Sequence, residues 1–205
     1  MTPHDVDTPH GRAVVHLHPA TEPSAALVLG HGANGSLESR DLVAVTDVAR
    51  SEGHTVALVE QPYRVAGRRS PAPAAQLDLA WIAVIEHLVA GDLGGLPLVV
   101  GGRSSGARVA CRTADATRAI GVLCLAFPLQ PPRRVSSRSA PVSRLPELDQ
   151  VSVPTLVVQG SRDPFGIPPA SAHREVVRVQ GDHSLRTDIQ AVAEAVRGWL
   201  QRVSE

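Results

Sequence analysis

Residues 98–110 read LVVGGRSSGARVA, an apolar run followed by the pattern G-x-S-x-G at positions 102–106 and then by a segment suited to a helix. This order predicts a nucleophile elbow, the sharp strand-to-helix turn that lifts a nucleophilic side chain clear of a sheet. Ser104 is the predicted nucleophile. Gly102 and Gly106 fit the turn because a Cβ at either position would keep the strand and the helix apart. The bare pattern also arises by chance, so a purely structural Gly/Ser turn is the competing interpretation.

The rest of the chain alternates short β-branched apolar runs with longer helical stretches, which is typical of a parallel sheet covered by helices on both faces. The fold class is therefore predicted to be α/β. The predicted strands are Ala13–His18, Ala26–Gly30, Thr55–Glu60, Leu98–Gly101, Gly121–Ala126, Thr155–Gln159 and Glu175–Val179. The predicted helices are Ser39–Glu52, Ala74–Ala90, Ser105–Thr113 and Thr187–Val203. We expect one domain over residues 1–205, with residues 1–11 as a flexible N-terminus.

Composition argues against several classes of partner. The 205 residues carry 20 basic and 20 acidic side chains, and every basic one is arginine, so the formal net charge is zero. A neutral chain disfavours a protein that binds nucleic acid or an anionic membrane through a basic surface. Aromatic residues make up only 2% of the chain, too few for a surface that stacks on nucleobases.

Two segments bear on the location of the protein. The first 12 residues, MTPHDVDTPHGR, contain acids and lack an apolar run, so they do not resemble a signal peptide. The longest charge-free apolar stretch, Ala119–Pro132, contains three prolines and falls short of the roughly 20 residues that a membrane span needs. Cys111 and Cys124 are too few for a disulfide framework or a zinc site and are predicted to be small core residues. We therefore expect a soluble, cytoplasmic protein that binds no nucleic acid and no membrane.

A serine hydroxyl becomes a good nucleophile only when a base takes its proton, so a histidine held by a carboxylate should lie near it. Residues 154–163 read PTLVVQGSRD, a strand that runs into a turn ending in Asp163. Residues 179–183 read VQGDH, a second strand end with His183 shortly before the last predicted helix. Taken alone, Asp163 would be a turn residue and His183 a surface residue. In this order after Ser104 they predict a Ser–Asp–His catalytic triad.

Residues 27–35 read LVLGHGANG, a strand followed by a glycine-rich turn whose backbone can approach a substrate closely. Backbone N–H groups at such a turn, and at the start of the helix after an elbow, can stabilise the negative oxygen of a tetrahedral intermediate. We assign these oxyanion donors to the N–H groups of Ala33 and Ser105, with Asn34 as an alternative donor through its backbone or its amide. A simple glycine-rich turn after a core strand is the competing interpretation, and His31 is expected to be structural.

Six short blocks follow one another along the chain: His31–Ala33, Glu60–Tyr63, Gly101–Arg108, Phe127–Pro132, Gln159–Gly166 and Gly181–Ser184. Together they resemble the small predicted α/β-hydrolases related to the dienelactone hydrolases and to the testis-expressed, Tex30-like proteins. The resemblance implies an α/β-hydrolase fold, with a mostly parallel sheet of about seven strands, minimal or no lid, and Ser104, Asp163 and His183 as the triad. Serine stands at the nucleophile position, where the dienelactone hydrolases use cysteine, so a dienelactone is not the substrate that we expect.

Two connections rich in proline and arginine follow predicted strand ends, where the loops of an open α/β sheet border the ligand crevice. They are Pro62–Pro73 and Pro128–Pro146, and the second stands where the related fold carries its lid. Together they hold seven arginines and no acid, whereas the other 174 residues hold 13 arginines and 20 acids. We therefore hypothesise an anionic acyl substrate, such as a carboxylate- or phosphate-bearing ester or a coenzyme A thioester. Solvated loop charges are the competing interpretation. The candidate substrate-binding residues are Asn34, Tyr63, Arg64, Arg133 and Arg134.

These observations predict a serine hydrolase that cleaves a small-molecule ester or thioester through an acyl-enzyme intermediate. This chemistry needs no metal and no organic cofactor, and the remaining histidines, including His16 and His18, lack a metal-ligand context. Two alternatives stay open, a non-catalytic α/β-hydrolase-fold module that binds protein partners and a serine peptidase. The chain is expected to be a monomer or a homodimer.

Overall fold

An eight-stranded sheet forms the centre of the computed structural model, which describes residues 3–33, 36–131 and 142–204. The strands are β1 His4–Thr8, β2 Gly11–His18, β3 Ala25–Gly30, β4 His54–Glu60, β5 Leu98–Arg103, β6 Gly121–Leu125, β7 Thr155–Gly160 and β8 Arg174–Val179. The helices of the described residues are α1 Arg40–Ser51, α2 Pro62–Val65, α3 Ala74–Ala90, α4 Ser105–Thr113, α5 Leu145–Asp149 and α6 Ile189–Val203.

The order of the strands in the sheet is β1-β2-β4-β3-β5-β6-β7-β8. β2 is antiparallel to β1 and to β4, whereas every pair from β4 to β8 is parallel. Because the carboxyl ends of parallel strands meet at one edge of the sheet, the residues that follow β3, β5, β7 and β8 come together there. The predicted α/β class and the mostly parallel sheet are confirmed.

Helices cover both faces of the sheet with apolar side chains. On one face α3 and α4 bury Trp81, Leu88 and Val109 against the strands. On the other face α1 and α6 bury Leu42 and Leu200, among others. Full burial of one such side chain contributes about 1.5–3 kcal/mol. Helices therefore pack against both faces of the sheet and fix the positions of the strand ends that carry the site.

All seven predicted strands and all four predicted helices form, with boundaries within two residues of the prediction. The two shortest helices, α2 and α5, were not predicted because four or five residues are too few to show a helical apolar period. α2 lies in the first of the two connections rich in proline and arginine, and α5 begins at the end of the second. Residues 132–141 of the second connection are outside the described part of the chain.

The structure differs from the prediction at the N-terminus. His4–Thr8, predicted to be part of a flexible end, forms strand β1 and pairs antiparallel with residues 11–15 of β2. Gly11, at φ +106°, allows the tight turn between the two strands, and Val6 is buried in the core. Val6 is the one apolar side chain in HDVDT, so the segment shows no alternation that would predict a strand.

Candidate active site

Three strand ends bring Ser104, Asp163 and His183 into direct contact. Ser104 follows β5, Asp163 lies in the turn after β7, and His183 lies between β8 and α6. Nδ1 of His183 is 2.8 Å from Oδ2 of Asp163, and Nε2 is 2.9 Å from Oγ of Ser104. Because an ionised carboxylate only accepts hydrogen bonds, Nδ1 carries the proton and Nε2 accepts from the serine hydroxyl.

The backbone around Ser104 has the form of a nucleophile elbow. Ser104 adopts φ +51° and ψ −104°, a region that side chains other than glycine rarely occupy. A Cβ on Gly102 would stand 2.5 Å from the carbonyl oxygen of Gly30, and one on Gly106 would collide with the same carbonyl. β3, β5 and α4 therefore pass each other at distances that only glycine permits, and this packing holds the serine in its strained position.

The carboxylate of Asp163 is completely buried and fully occupied by hydrogen bonds. Oδ2 accepts from His183 and from the side-chain amide of Gln159, at 2.8 Å each, and Oδ1 accepts from the N–H of Phe165 at 2.9 Å. Three donors compensate for the loss of water around a buried charge. The same amide nitrogen of Gln159 lies 3.0 Å from the carbonyl oxygens of Phe127 and Gly166. Gln159 was missed in the sequence, although it is the first residue of one of the six blocks.

His183 is held on two further sides. The ring of Phe165 packs against the imidazole with the ring centroids 4.4 Å apart. The carbonyl oxygen of His183 accepts a hydrogen bond from Nη2 of Arg103 at 3.0 Å. The imidazole is 19% exposed, so it is oriented by its neighbours and still reaches solvent and an incoming substrate. Neither contact was predicted from the sequence.

The turn after β3 carries Ala33 next to Ser104. The hydroxyl of Tyr63 donates to the carbonyl oxygen of Ala33 at 3.0 Å, which fixes the orientation of this peptide group. His31 is buried: Nδ1 is 2.8 Å from the carbonyl of Gly32, and Nε2 accepts from the N–H of Gln61 at 3.1 Å. Burial lowers the pKa of His31, so the ring is neutral and both of its nitrogens are occupied by backbone groups. Such an environment agrees with the structural role expected for this histidine.

Both predicted oxyanion donors belong to segments that meet at Ser104. Ser105 is the first residue of α4, a position whose N–H has no acceptor within the helix. Ala33 and Ser104 line the same depression in the surface. Asn34, the alternative donor, is outside the described residues. The roles of Ala33 and Ser105 as donors stay predictions.

A depression of about 620 Å³ opens in front of Ser104 and His183, and we call it the Ser104 depression. Besides these two residues and Ala33, its lining comprises Glu38, Ser39, Arg40, Arg103, Phe165, Ser184 and Arg186. Of the predicted substrate-binding residues, Tyr63 does not line the depression, but it bonds to Ala33, which does. Arg64 lines a different depression, with His16 and His18. Arg133 and Arg134 are outside the described residues. Arg40 and Arg186 were missed because their helix and loop show no unusual charge pattern.

Outside the Ser104 depression, the described residues include two cysteines but no metal-binding cluster and no membrane-spanning helix. Cys111 and Cys124 are buried with their sulfur atoms 3.4 Å apart, as core residues. No group of three or more histidine, cysteine or acidic side chains among the described residues is placed to hold a metal ion. None of the helices described is long and apolar enough to span a bilayer.

Comparisons with known proteins place this arrangement in context. A family model described as an alpha/beta hydrolase domain matches residues 23–201. A serine hydrolase without a lid from Xanthomonas campestris has a similar fold, with a TM-score of 0.79 and 19% identity over 98% of this chain and 94% of that one. Est1E from Butyrivibrio proteoclasticus has a TM-score of 0.77 and 16% identity over 99% of both chains. A dienelactone hydrolase from Anabaena variabilis has a TM-score of 0.78 and 16% identity over 98% of this chain and 96% of that one. No curated protein matches the sequence.

Proposed function

Because this chain belongs to the alpha/beta hydrolase domain family, we propose that it is a serine hydrolase that cleaves a small ester or thioester. The observation that carries the proposal is the unbroken row of contacts from the hydroxyl of Ser104 through the imidazole of His183 to the carboxylate of Asp163. A structural Gly/Ser turn has no need of a base at its serine. A module that only bound protein partners would have no need of a buried carboxylate behind that base.

Acylation begins when the hydroxyl oxygen of Ser104 attacks the carbonyl carbon of the substrate. Nε2 of His183 takes the hydroxyl proton, and Asp163 stabilises the imidazolium that forms. The carbonyl oxygen becomes negative, and the backbone N–H groups of Ala33 and Ser105 stabilise it. Collapse of the intermediate breaks the bond to the leaving alkoxide or thiolate, which takes the proton from His183, and the acyl group stays on Ser104.

Deacylation repeats these steps with water as the nucleophile. His183 takes a proton from a water molecule that attacks the acyl carbon, and then returns this proton to Oγ of Ser104. The products are a carboxylic acid and the free enzyme. Every group used is a side chain or a backbone N–H of this chain. The serine must therefore be reactive toward reagents that imitate the acyl substrate, which provides a direct test.

We test the proposal with a fluorophosphonate probe, which forms a covalent bond with an activated serine. The wild-type protein is expected to be labelled, and Ser104→Ala is expected to lose labelling and the hydrolysis of short esters and acyl thioesters. Ser152→Ala is the matched control, because Ser152 is an exposed serine ahead of β7, away from the site. A folded wild-type protein that neither reacts with the probe nor hydrolyses any ester or thioester of the panel would contradict the proposal.

An anionic substrate is the finer part of the proposal. Arg40 and Arg186 are exposed and line the Ser104 depression, with Glu38 as the acidic side chain in the same lining. Arg103 also lines it, but its charge is paired with Asp41 at 2.8 Å. Two guanidinium groups against one carboxylate favour an acyl chain or leaving group that carries a carboxylate or phosphate. These two arginines, rather than Arg64, support the anionic preference.

The matched substrates for this test are the p-nitrophenyl monoesters of glutarate and pentanoate, equal in chain length and differing in charge. We expect a higher kcat/KM for the anionic ester, decreasing with added salt. Arg40→Gln and Arg186→Gln should each lower this preference, by roughly fivefold at most, since an exposed charge pair is worth about 0.2–1 kcal/mol. Arg64→Gln, outside the depression, is the control. Equal kcat/KM values with no salt dependence would contradict the anionic preference and leave the serine hydrolase proposal intact.

A further inference from the structure

Arg103 is the last residue of β5 and directly precedes Ser104, and its side chain is only 16% exposed. We propose that Arg103, held by Asp41, is a positioning residue that keeps His183 within hydrogen-bonding distance of Ser104. The inference rests on the proposed function, because it assigns a new role within that same site. No step of the mechanism above uses the charge of Arg103, so its burial beside the nucleophile needs another explanation.

The guanidinium of Arg103 joins three segments that border the Ser104 depression. Its Nε–H donates to Oδ2 of Asp41 at 2.8 Å, and its Nη2–H donates to the carbonyl oxygen of His183 at 3.0 Å. Nη1 lies 3.0 Å from the position that a Cβ on Gly32 would occupy, so it also lies against the turn that carries Ala33. The group therefore touches the start of α1, the turn after β3 and the segment after β8.

Asp41 is a fixed support for this arginine. It lies in the first turn of α1, and its side chain is 1% exposed. A buried carboxylate without a cationic partner is strongly unfavourable, and Arg103 provides that partner. Leu42 and Val45 anchor the same turns of α1 in the core, so the carboxylate cannot follow a moving guanidinium. A buried ion pair adds little net stability compared with apolar residues. The role of this pair is therefore to orient the guanidinium of Arg103.

The two contacts of His183 are secured in different ways. Backbone hydrogen bonds join the segments that carry Asp163 and His183: the N–H of Ser161 donates to Val179 at 2.8 Å, and that of Arg162 donates to Gly181 at 2.9 Å. These two segments therefore move together. Backbone bonds of this kind do not join the segment after β8 to β5, because β6 and β7 lie between the two strands.

Among the described residues, the bond from Arg103 to the carbonyl of His183 is the hydrogen bond that joins these segments directly, apart from that of His183 with Ser104 itself. Without it, the pair of His183 and Asp163 would shift away from Ser104 as one unit. A displacement of about 1 Å can lower a rate by about 100-fold. The flat guanidinium donates along two fixed directions, which the single ammonium of lysine does not reproduce.

The experiment compares Arg103→Gln with Arg112→Gln. Arg112 is a similarly buried arginine on α4 that bonds Asp78 in bidentate fashion, has Glu147 3.4 Å from its Nη1, and lies outside the Ser104 depression. It therefore reports the loss of buried ion pairs away from the site. For Arg103→Gln we expect the rate constant of fluorophosphonate labelling and kcat to fall by about 10- to 100-fold, with KM within about threefold. The downfield Nδ1 proton resonance of His183, which reports its bond to Asp163, should be retained. Arg112→Gln should leave all of these values unchanged, and Arg103→Lys should lie between Arg103→Gln and wild type.

Three results would overturn the proposal: a wild-type labelling rate in Arg103→Gln, an equal fall in Arg112→Gln, or loss of the His183 resonance in Arg103→Gln. If Arg103→Gln does not fold, Asp41→Asn decides, since it keeps the shape of the side chain and removes the charge that holds the guanidinium. An unchanged labelling rate in Asp41→Asn would then overturn the proposal, and a fall of threefold or more would support it. Absence of labelling in the folded wild type would contradict the serine hydrolase proposal instead, so the two failures are distinguishable.

Discussion

The two halves of the site are held rigid by different means. The nucleophile half comprises the turn after β3 and the elbow between β5 and α4, and it depends on backbone packing at Gly30, Gly102 and Gly106. The acid–base half comprises the segments after β7 and β8, and it depends on hydrogen bonds around Asp163. Adding a side-chain atom should therefore disrupt the nucleophile half, and removing a hydrogen-bonding group should disrupt the acid–base half.

Each half also contains a buried or half-buried histidine, and their partners differ. His31, in the nucleophile half, has backbone groups at both ring nitrogens. His183, in the acid–base half, has a carboxylate at one nitrogen and a serine hydroxyl at the other. A base must bond to a group that can give up a proton, so only the second environment suits catalysis. The comparison shows that the partners of a histidine, more than its burial, indicate its role.

The largest expected effect follows from removing the charge of Asp163. In Asp163→Asn the side-chain amide no longer accepts from Nδ1 of His183, so the imidazole adopts the other tautomer and its Nε2 cannot take the proton of Ser104. We expect kcat to fall by about 1,000- to 10,000-fold. Asp182→Asn, at an exposed acid adjacent to His183, is the control and should stay within threefold of wild type. Similar losses in both variants would show that the carboxylate of Asp163 has no special role.

The next effect is on stability and belongs to the nucleophile half. Gly106→Ala places a methyl group against the backbone of Gly30 and His31, which cannot move without disturbing the sheet. We expect the free energy of unfolding, measured by urea denaturation, to fall by about 3 kcal/mol or more. Gly198→Ala, in α6, where the new Cβ would have no atom beyond the surrounding helix backbone closer than 3.6 Å, should raise it by up to about 1 kcal/mol. Equal stabilities of the two variants would refute the packing explanation of the elbow.

A smaller effect should come from the support of the acid. Gln159→Leu keeps the approximate size of the side chain and removes the amide that donates to Asp163. Leaving buried acceptors unbonded should lower the free energy of unfolding by roughly 1–3 kcal/mol. We expect kcat to fall by about tenfold, well short of Asp163→Asn, because His183 and Phe165 still donate to the carboxylate. Gln150→Leu, at an exposed glutamine with one bond to a backbone carbonyl, is the control for stability and should not change kcat.

The smallest effect is a pH dependence of stability that comes from His31. Burial lowers the pKa of His31 in the folded state, so below about pH 6.5 the unfolded chain binds a proton that the folded chain does not. The free energy of unfolding should therefore decrease as the pH falls below 6.5, by at most about 1.4 kcal/mol per pH unit for this residue. His31→Asn should flatten the dependence of urea midpoints between pH 7.5 and 5.5. A steeper dependence in the variant would contradict this assignment.

Much of the site could be predicted from the sequence because each of its main groups lies within four residues of the end of a strand. Ser104, Asp163 and His183 stand at the ends of apolar runs, and parallel strands bring such ends to one edge of the sheet. The strands β3, β5 and β7 are buried on both faces and appear in the sequence as nearly continuous apolar segments, which is why their boundaries could be predicted within two residues.

The supporting contacts could not be predicted, for two physical reasons. The bond between Arg103 and Asp41 joins residues 62 positions apart, and no local pattern reports which charges meet after folding. Gln159 lies inside a buried strand. The role of a polar residue at such a position depends on its hydrogen-bond partners, which the sequence does not reveal. The same reason applies to Arg40 and Arg186, which are 146 positions apart in the sequence and line one depression only in the folded chain.

The position of His183 between β8 and α6 has a consequence for the order of folding during translation. His183 lies 79 residues after Ser104, an interval that a ribosome needs roughly 4–16 s to synthesise. α6 then closes on α1, and Arg197 and Gln201 bond the carboxylate of Glu52, the residue after α1, at 3.1 and 2.9 Å. The nascent chain therefore carries Ser104 for several seconds before His183, the proposed base, has been synthesised. On the proposed function, hydrolytic activity should appear only after the segment that follows β8 has been added and α6 has docked.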